Sequence, residues 1–420
     1  MNKIAISLIV IAALLWAASG RAEGWSASLS GHPAMPAKFL AVDKDQQRFM
    51  LFGKKSPLSI MADLTCATGQ KTGDKLERGD LKTPEGVYFV GRRLSKGLDF
   101  ELYGGLAFTL NFPNPVDIIK GKTGSGIWIH GRGTPIKPRE TKGCVALHLP
   151  DLEAMKSELE IGTPVAIAKS VDWKSDTLDS DIDVLVNRVR EWAGAWQNKS
   201  DEFFALYDTD KFSKSRRHSF SSFRRHKQRV FAAQEWIQVM THDVRVLPGP
   251  DYWVTYFNQY YRTPSMISQG IKRLYWMKND NGEFKIVGRE WVRRPVSLTG
   301  EYLDRVEAEI TPLIEEWAAA WQRADLAEYS SFYAEDARQS DRRGLTEVME
   351  YKRDLWRRAE PSSVSIGEIR VEIAPEGVSA EFVQKYSSAG GYSDKGVKKL
   401  VLAPASAGSW KIVSEDWRPL

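Results

Sequence analysis

The second half of this chain is written twice. EWAGAWQ at 191–197 returns as EWAAAWQ at 316–322, with Trp192 and Trp317 standing 125 residues apart. FNQYY at 257–261 returns as FVQKY at 382–386 at the same offset, and FKIVGREW at 284–291 returns as WKIVSEDW at 410–417, offset by 126. Three landmarks in one order at nearly one spacing mean a duplicated unit. The period is too long for a solenoid repeat, so each copy is a whole small domain. The copies are expected at 183–294 and 303–420. The chain has 420 residues, which leaves room upstream for a further domain of ordinary size.

Each copy reads as helix, helix, then several antiparallel strands. Ile182 to Gln197 is an amphipathic helix with Trp192 and Trp196 at i, i+4. The strand Trp253 to Tyr261 places Trp253, Thr255, Phe257, Gln259 and Tyr261 on one face, and the second copy offers Phe382, Gln384 and Tyr386. A half-buried strand explains that face, and a pocket wall is the alternative. The order, with its paired tryptophans, resembles the nuclear-transport-factor-2-like (SnoaL-like) fold, which implies two α+β cones.

Upstream of the repeats the pattern is β-rich. FLAVDKDQQRFMLF is two apolar runs about a polar turn at Asp43 to Gln47. The stretch ATGQKTGDKLERGDLKTPEGVYFVG carries five glycines and one proline, which excludes a long helix. Val87 to Val90, Ile127 to Ile129 and Thr163 to Ala168 read as buried strands, and Leu149 to Leu159 as a short helix opened by Pro150 and Asp151. Residues 23–170 are therefore expected to form one domain, followed by a polar linker at 171–182. Lys3, the apolar run Ile4 to Ala18 and the small residues after it read as a signal peptide over residues 1–22. That run is shorter than the ~20 residues a spanning helix needs, so export to the periplasm is expected, with no transmembrane segment after signal removal. Two cysteines, Cys66 and Cys144, are too few for a disulfide scaffold.

The chemistry concentrates in IWIHGRGTPIKPRETKGCVALHLPDL, residues 127–152. A cysteine is nucleophilic but mostly protonated at neutral pH, and it needs a base at hand. His130 ends an expected strand, and Cys144 follows the tight turn Thr141-Lys142-Gly143. The backbone amides of Gly143 and Cys144 offer an oxyanion hole. A Cys and a His alone carry little weight, because structural cysteines are common. Here the residues His130-Gly131, then Thr141-Lys142-Gly143-Cys144, resemble the signature of the L,D-transpeptidase catalytic (YkuD) domain. Thr68-Gly69, Gly73-Asp74-Lys75, Gly79-Asp80 and Thr83-Pro84-Glu85-Gly86 are similar to the stretch that precedes the site in that family.

The resemblance covers about residues 38–168 and implies a mixed β-sandwich. It implies Cys144 as nucleophile and His130 as base, the histidine being oriented by a backbone carbonyl. Gly143, Thr141 and Gly131 are implied as oxyanion or positioning residues. The implied substrate is a peptidoglycan stem tetrapeptide, cut between a diaminopimelate or lysine L-centre and the terminal D-Ala. The acyl group would then pass to an amine. No metal, nucleotide or flavin is implied. Many members carry Arg or Asn two residues after the cysteine, where this chain has Ala146, and the loop from His to Cys is short. Arg132 and Arg139 in that loop are candidates for binding a substrate carboxylate. The short loop and cone-like C-terminal region also resemble the cell-shape L,D-carboxypeptidases, in which water is the acceptor. A wall-binding scaffold without catalysis is the third alternative, against which Cys144, His130 and Gly143 are all present.

The stretch KFSKSRRHSFSSFRRHKQR at 211–229 interleaves basic residues with phenylalanines. In an exported protein it would face anionic wall or envelope polymers rather than nucleic acid, unless it is simply a solvated helix face. The net charge of +5 is small for a nucleic-acid binder of this length. The repeats, lacking cysteine, are expected to be accessory domains, so that a chain ending near residue 170 should still acylate.

Overall fold

The computed structural model describes residues 24–54, 58–174, 179–215, 219–294, 296–405 and 408–420. The expected signal peptide lies outside them. The first domain contains β1 (Ser26–Ser30), β2 (Lys38–Asp43), β3 (Arg48–Lys54), β4 (Leu58–Ala67), β5 (Gly86–Leu94), α1 (Phe100–Tyr103), β6 (Ala107–Leu110) and α2 (Pro115–Ile119). It continues through β7 (Trp128–His130), β8 (Val145–Leu147), α3 (Leu149–Met155), β9 (Pro164–Ala168) and β10 (Ser170–Lys174). The helix α3 is shorter than expected and stops at Met155. The layers of the expected sandwich join at their edges, giving a closed barrel in the order β2-β3-β4-β8-β7-β6-β5-β9. Closure leaves no open sheet edge. Residues 171–174, expected as linker, belong instead to β10, which pairs in parallel with β1. The helix α4 already begins at Ser180, and 175–178 lie outside the described residues.

Strand alternation explains why the barrel runs are apolar throughout. Leu40, Val42, Phe49, Leu51, Tyr88, Val90, Val165 and Ile167 share one core inside the barrel. Their neighbours Phe39, Ala41, Met50, Phe52, Val87, Phe89, Ala166 and Ala168 belong to a second core on the other face. That second core is continuous with the first repeat.

The first repeat comprises α4 (Ser180–Gln197), α5 (Glu202–Ala205), α6 (Thr209–Lys214), α7 (Phe220–Ala233) and the antiparallel sheet β11 (Gln238–Pro248), β12 (Trp253–Thr263), β13 (Met266–Lys278), β14 (Phe284–Val292). The second comprises α8 (Thr299–Gln322), α9 (Leu326–Ser331), β15 (Tyr333–Gln339), β16 (Arg342–Arg343), α10 (Leu345–Arg358), β17 (Pro361–Ile366), β18 (Arg370–Ala374), β19 (Gly377–Ser388), β20 (Ser393–Pro404) and β21 (Trp410–Pro419). The copies repeat their contacts as well as their sequence. Trp192 Nε1 meets Tyr207 Oη at 3.0 Å, and Trp317 Nε1 meets Tyr333 Oη at 3.0 Å. Trp196 packs on Tyr261 and Trp321 on Tyr386. The expected face of β12 is buried against these tryptophans.

The first repeat is welded to the barrel. Tyr252 Oη accepts from the Val87 amide at 2.8 Å and from Asn114 Nδ2 at 3.1 Å. The Arg273 guanidinium lies 3.7 Å from the Phe89 ring centroid, and Asn111 donates to Tyr275 and Glu290. Gly288 has to be glycine, because a Cβ there would come within 2.4 Å of Pro115 Cβ. These contacts give the barrel's outer face a cover from the first repeat, which the expectation of a chain ending near residue 170 did not include. The second repeat has a largely separate core, joined through Tyr260 stacked on Tyr302 and through Arg262, which donates to the Ala374 and Gly377 carbonyls.

The phenylalanines of the basic stretch are core residues: Phe212, Phe220 and Phe223 are all buried. Lys227 is buried over the Trp196 ring, 3.4 Å from its centroid. Lys211 pairs with Asp208 and Arg224 with Asp201, while Arg225 and Arg229 lie on the solvent face. Arg216, Arg217 and His218 lie outside the described residues. No helix among the described residues is long and apolar enough to cross a membrane.

Candidate active site

The parallel pairing of β7 with β8 sets Ile129 beside Val145 and His130 beside Ala146. Continuing that register places Cys144 beside Trp128. In a strand pair, neighbours across the ladder point the same way. Cys144 and His130 therefore share one face of the barrel wall, on adjacent strands and two residues out of step.

His130 is buried, and its Nδ1 lies 2.7 Å from the carbonyl oxygen of Gly131. A carbonyl only accepts, so Nδ1 carries the proton and Nε2 is left with its lone pair. Tyr103 packs edge-on against the imidazole at 5.1 Å and also against Trp128, fixing the ring plane. Burial lowers the His130 pKa, the Gly131 hydrogen bond opposes this, and nearby Arg132 lowers it further.

Cys144 is a free thiol, partly exposed, donating to the Gly126 carbonyl at 3.5 Å. Burial raises its pKa, while the Trp128 backbone and the Lys75 charge pull it down. Both shifts favour the neutral forms, a thiol on Cys144 and an imidazole on His130. The turn before Cys144 is tied by Thr141, whose Oγ1 donates to the Cys144 carbonyl at 2.7 Å and accepts from the Gly143 amide at 3.1 Å. Gly143 has φ +129° and a Cβ there would reach 2.7 Å from the Lys82 carbonyl, so the turn requires glycine. With the Gly143 amide engaged by Thr141, the Cys144 amide is the remaining oxyanion donor of the two expected.

Cys66 sits opposite Leu147 on β4 and faces the barrel core, away from Cys144. Both cysteines are free, and burial pushes the Cys66 thiol up to about 12. The two candidate arginines separate. Arg132 lies near His130 and pairs with Glu140 at 3.3 Å. Arg139 pairs with Asp45 at 3.3 Å and lines a cavity of about 760 Å³ whose walls include Lys44, Asp74 and Glu85 but neither Cys144 nor His130. His148 is the N-cap residue of α3, with no side-chain cap.

Several residues that shape the site carried no role in the sequence reading. Lys75 is buried, donates to Asp80 at 2.7 Å and to the Glu77 carbonyl, and its charge acts on Cys144. Asp80 also accepts from the Leu76, Glu77 and Lys82 amides; against the upward push of burial, the Lys75 hydrogen bond and then these amides hold its pKa down at about 2. Lys44 donates to the Gly73 and Thr83 carbonyls and to Glu85, clasping the loop that backs Gly143. The only signal was the Gly73-Asp74-Lys75 and Gly79-Asp80 pattern.

A cysteine and a Nδ1-protonated histidine stand on neighbouring strands above a glycine turn, an arrangement that suits nucleophilic cysteine chemistry. Residues 37–167 match the L,D-transpeptidase catalytic domain, YkuD, and residues 184–290 and 309–416 each match the Cds6 C-terminal NTF2-like domain. The chain contains an L,D-transpeptidase catalytic (YkuD) domain and, matched over about half of its length, belongs to the Cds6 C-terminal NTF2-like domain family. Among solved structures it is similar to Bd1075 of Bdellovibrio bacteriovorus, with 26% identity over 64% of this chain and 97% of that one, TM-score 0.50. It is also similar to the helical cell shape determining protein Pgp2 from Campylobacter jejuni, with 26% identity over 62% of this chain and 92% of that one, TM-score 0.50. No curated protein sequence matches the chain.

Proposed function

We propose that this protein is an exported, periplasmic L,D-transpeptidase acting on peptidoglycan stem tetrapeptides. The observation that supports it is His130, whose Nδ1 is tied to the Gly131 carbonyl so that Nε2 is free on the face that carries Cys144. In this reading Nε2 takes the thiol proton as Sγ attacks the carbonyl joining the L-centre to D-Ala. The Cys144 amide steadies the oxyanion. The C–N bond then breaks, His130 returns the proton to the D-Ala amine, and a thioester remains on Cys144. An amine of a second stem peptide resolves it.

A second reading has water as the acceptor, which makes the enzyme an L,D-carboxypeptidase. One observation favours it: a relative that this chain matches along nearly its whole length is a cell-shape determinant. Ala146 is consistent with it. The position lies directly beside His130, and an alanine there supplies no donor for an acceptor carboxylate. Incubation with tetrapeptide muropeptides and excess acceptor stem, read by mass spectrometry, separates the two. Cross-linked dimer with free D-Ala supports transfer. Tripeptide with no dimer at any acceptor concentration supports hydrolysis, and intact tetrapeptide rejects both.

A further inference from the structure

The segment Lys120 to Gly126 leads into β7, and the Gly126 carbonyl at its end accepts from the Cys144 thiol at 3.5 Å. Gly121, Gly124 and Gly126 all have positive φ, so this loop has little stiffness of its own. Its shape is set by what it touches. The Thr123 amide donates to the Leu76 carbonyl at 2.9 Å, and Thr123 Oγ1 accepts from the Arg78 amide at 3.1 Å. A Cβ on Gly124 would stand 3.4 Å from Lys75 Cε and from the Arg78 Cα, so the two loops are closely packed.

Lys122 adds a side-chain anchor to these backbone contacts. Its side chain is 2% exposed, and its ammonium meets two carboxylates from two elements, Asp74 at 2.7 Å and Asp117 at 2.8 Å. Asp117 is a fixed point. Its second oxygen accepts from the Asn114 amide at 3.0 Å in the capping box of α2, and the first repeat packs on α2 where Gly288 meets Pro115. Asp74 is held in turn by the Glu85 amide at 2.8 Å. Burial works against the Lys122 charge, but Asp117 and then Asp74 outweigh it and raise its pKa, so Lys122 is a cation at neutral pH.

A buried ion cluster of this kind is a poor source of stability, because desolvating the charges offsets much of their attraction. What it supplies is placement. Lys122 ties the loop to α2 on one side and to the loop of Asp74 on the other. That second loop also backs the nucleophile's turn, where a Cβ on Gly143 would reach 2.7 Å from the Lys82 carbonyl. The carbonyl that meets the thiol and the turn that carries it are thus both referred to one ammonium. The charged groups about the thiol are His130 on β7, Lys75 on the neighbouring loop and Lys142 beside it in sequence. Lys122 acts instead through the backbone it holds.

We propose that Lys122 is a positioning residue for Cys144, holding the loop 120–126 so that the Gly126 carbonyl meets the thiol. The proposal rests on the reading of Cys144 as the nucleophile. Two rates measured across pH on the full-length mature protein test it: alkylation of Cys144 by iodoacetamide, located by peptide mass, and acylation by a carbapenem. In Lys122→Met the loosened loop lets water reach Sγ and relieves the burial that raises the thiol pKa, so alkylation should set in about half a pH unit or more lower. Acylation needs an aimed Sγ and should slow by about tenfold or more. Lys122→Arg keeps the charge and should recover most of both. Should Lys122→Met misfold, Asp74→Asn, which keeps an acceptor for the Glu85 amide and leaves Lys122 its Asp117 partner, should show the same two changes in smaller measure. Tyr252→Phe is the control for lost stability and should move neither rate. Unchanged alkylation and acylation profiles in the folded variants, or the same shifts in Tyr252→Phe, would overturn the proposal. Alkylation is read without acyl transfer, so a wild-type protein that alkylates but never acylates counts against the assigned reaction, and the alkylation profile still decides the role of Lys122.

Discussion

Cutting the chain after Lys174 should destroy the barrel rather than release it. The cut removes the surface that covers Val87, Phe89, Val116 and Met35, each 0–1% exposed and each in the core shared with the first repeat. At about 1.5–3 kcal/mol for each such side chain, the loss is about 6–12 kcal/mol. That is an upper figure, because the unfolded chain already buries some apolar area. It still rivals the whole stability of an ordinary domain, about 5–15 kcal/mol. Two buried polar contacts go as well, since the Val87 amide and Asn114 lose Tyr252. A chain ending at Arg294 keeps all of this and loses only the more separate second core. Fragments 24–174 and 24–294, compared by near-UV dichroism and thermal melting, should give an unfolded or aggregated short piece and a cooperatively melting long one. A short fragment that melts cooperatively and reacts with a carbapenem at the full-length rate would refute the reasoning.

Three further outcomes follow from the same contacts. Tyr252→Phe leaves the Val87 amide buried and unpaired, which should cost about 1–3 kcal/mol and lower the melting temperature, with the cysteine's reactivity kept. Because burial lowers the His130 pKa, the neutral base should persist as pH falls, so the acid limb of kcat/KM should lie below the ordinary histidine value of about 6.5. His130→Ala should cost about 10²–10⁴-fold in rate, and an acid limb above that histidine value would contradict the assignment. Thiol titration of the folded protein should report Cys144 alone, with Cys66 appearing only on denaturation; two fast thiols would be inconsistent with Cys66 lying in the barrel core.

Much of this was legible because local pattern and local chemistry coincide. The runs at 39–42, 49–52, 87–90 and 164–168 read as buried strands, and each is one. Periodicity revealed that both faces are buried but not what covers the outer one, since the cover comes from residues distant in sequence, such as Tyr252 on Val87, 165 positions away, and Tyr256 on Phe89. Barrel closure was not legible either, because β7 and β8 are three residues long and carry no alternation. His130 and Cys144 stood out through their glycine neighbours. Lys75 did not, since a lysine in a glycine-rich loop reads as a solvated charge until the fold sets Asp80 against it. In the repeats, the offset paired Lys227 with Lys352, but only packing revealed that both lie over a tryptophan.

The central claim is that Cys144 carries the acyl group. Intact-mass measurement followed by peptide mapping, after incubation with a carbapenem, tests it directly. One adduct per chain on the peptide containing Cys144, absent in Cys144→Ala and slowed in His130→Ala, is the result this account predicts. An adduct on Cys66, or an undiminished one in Cys144→Ala, would contradict it.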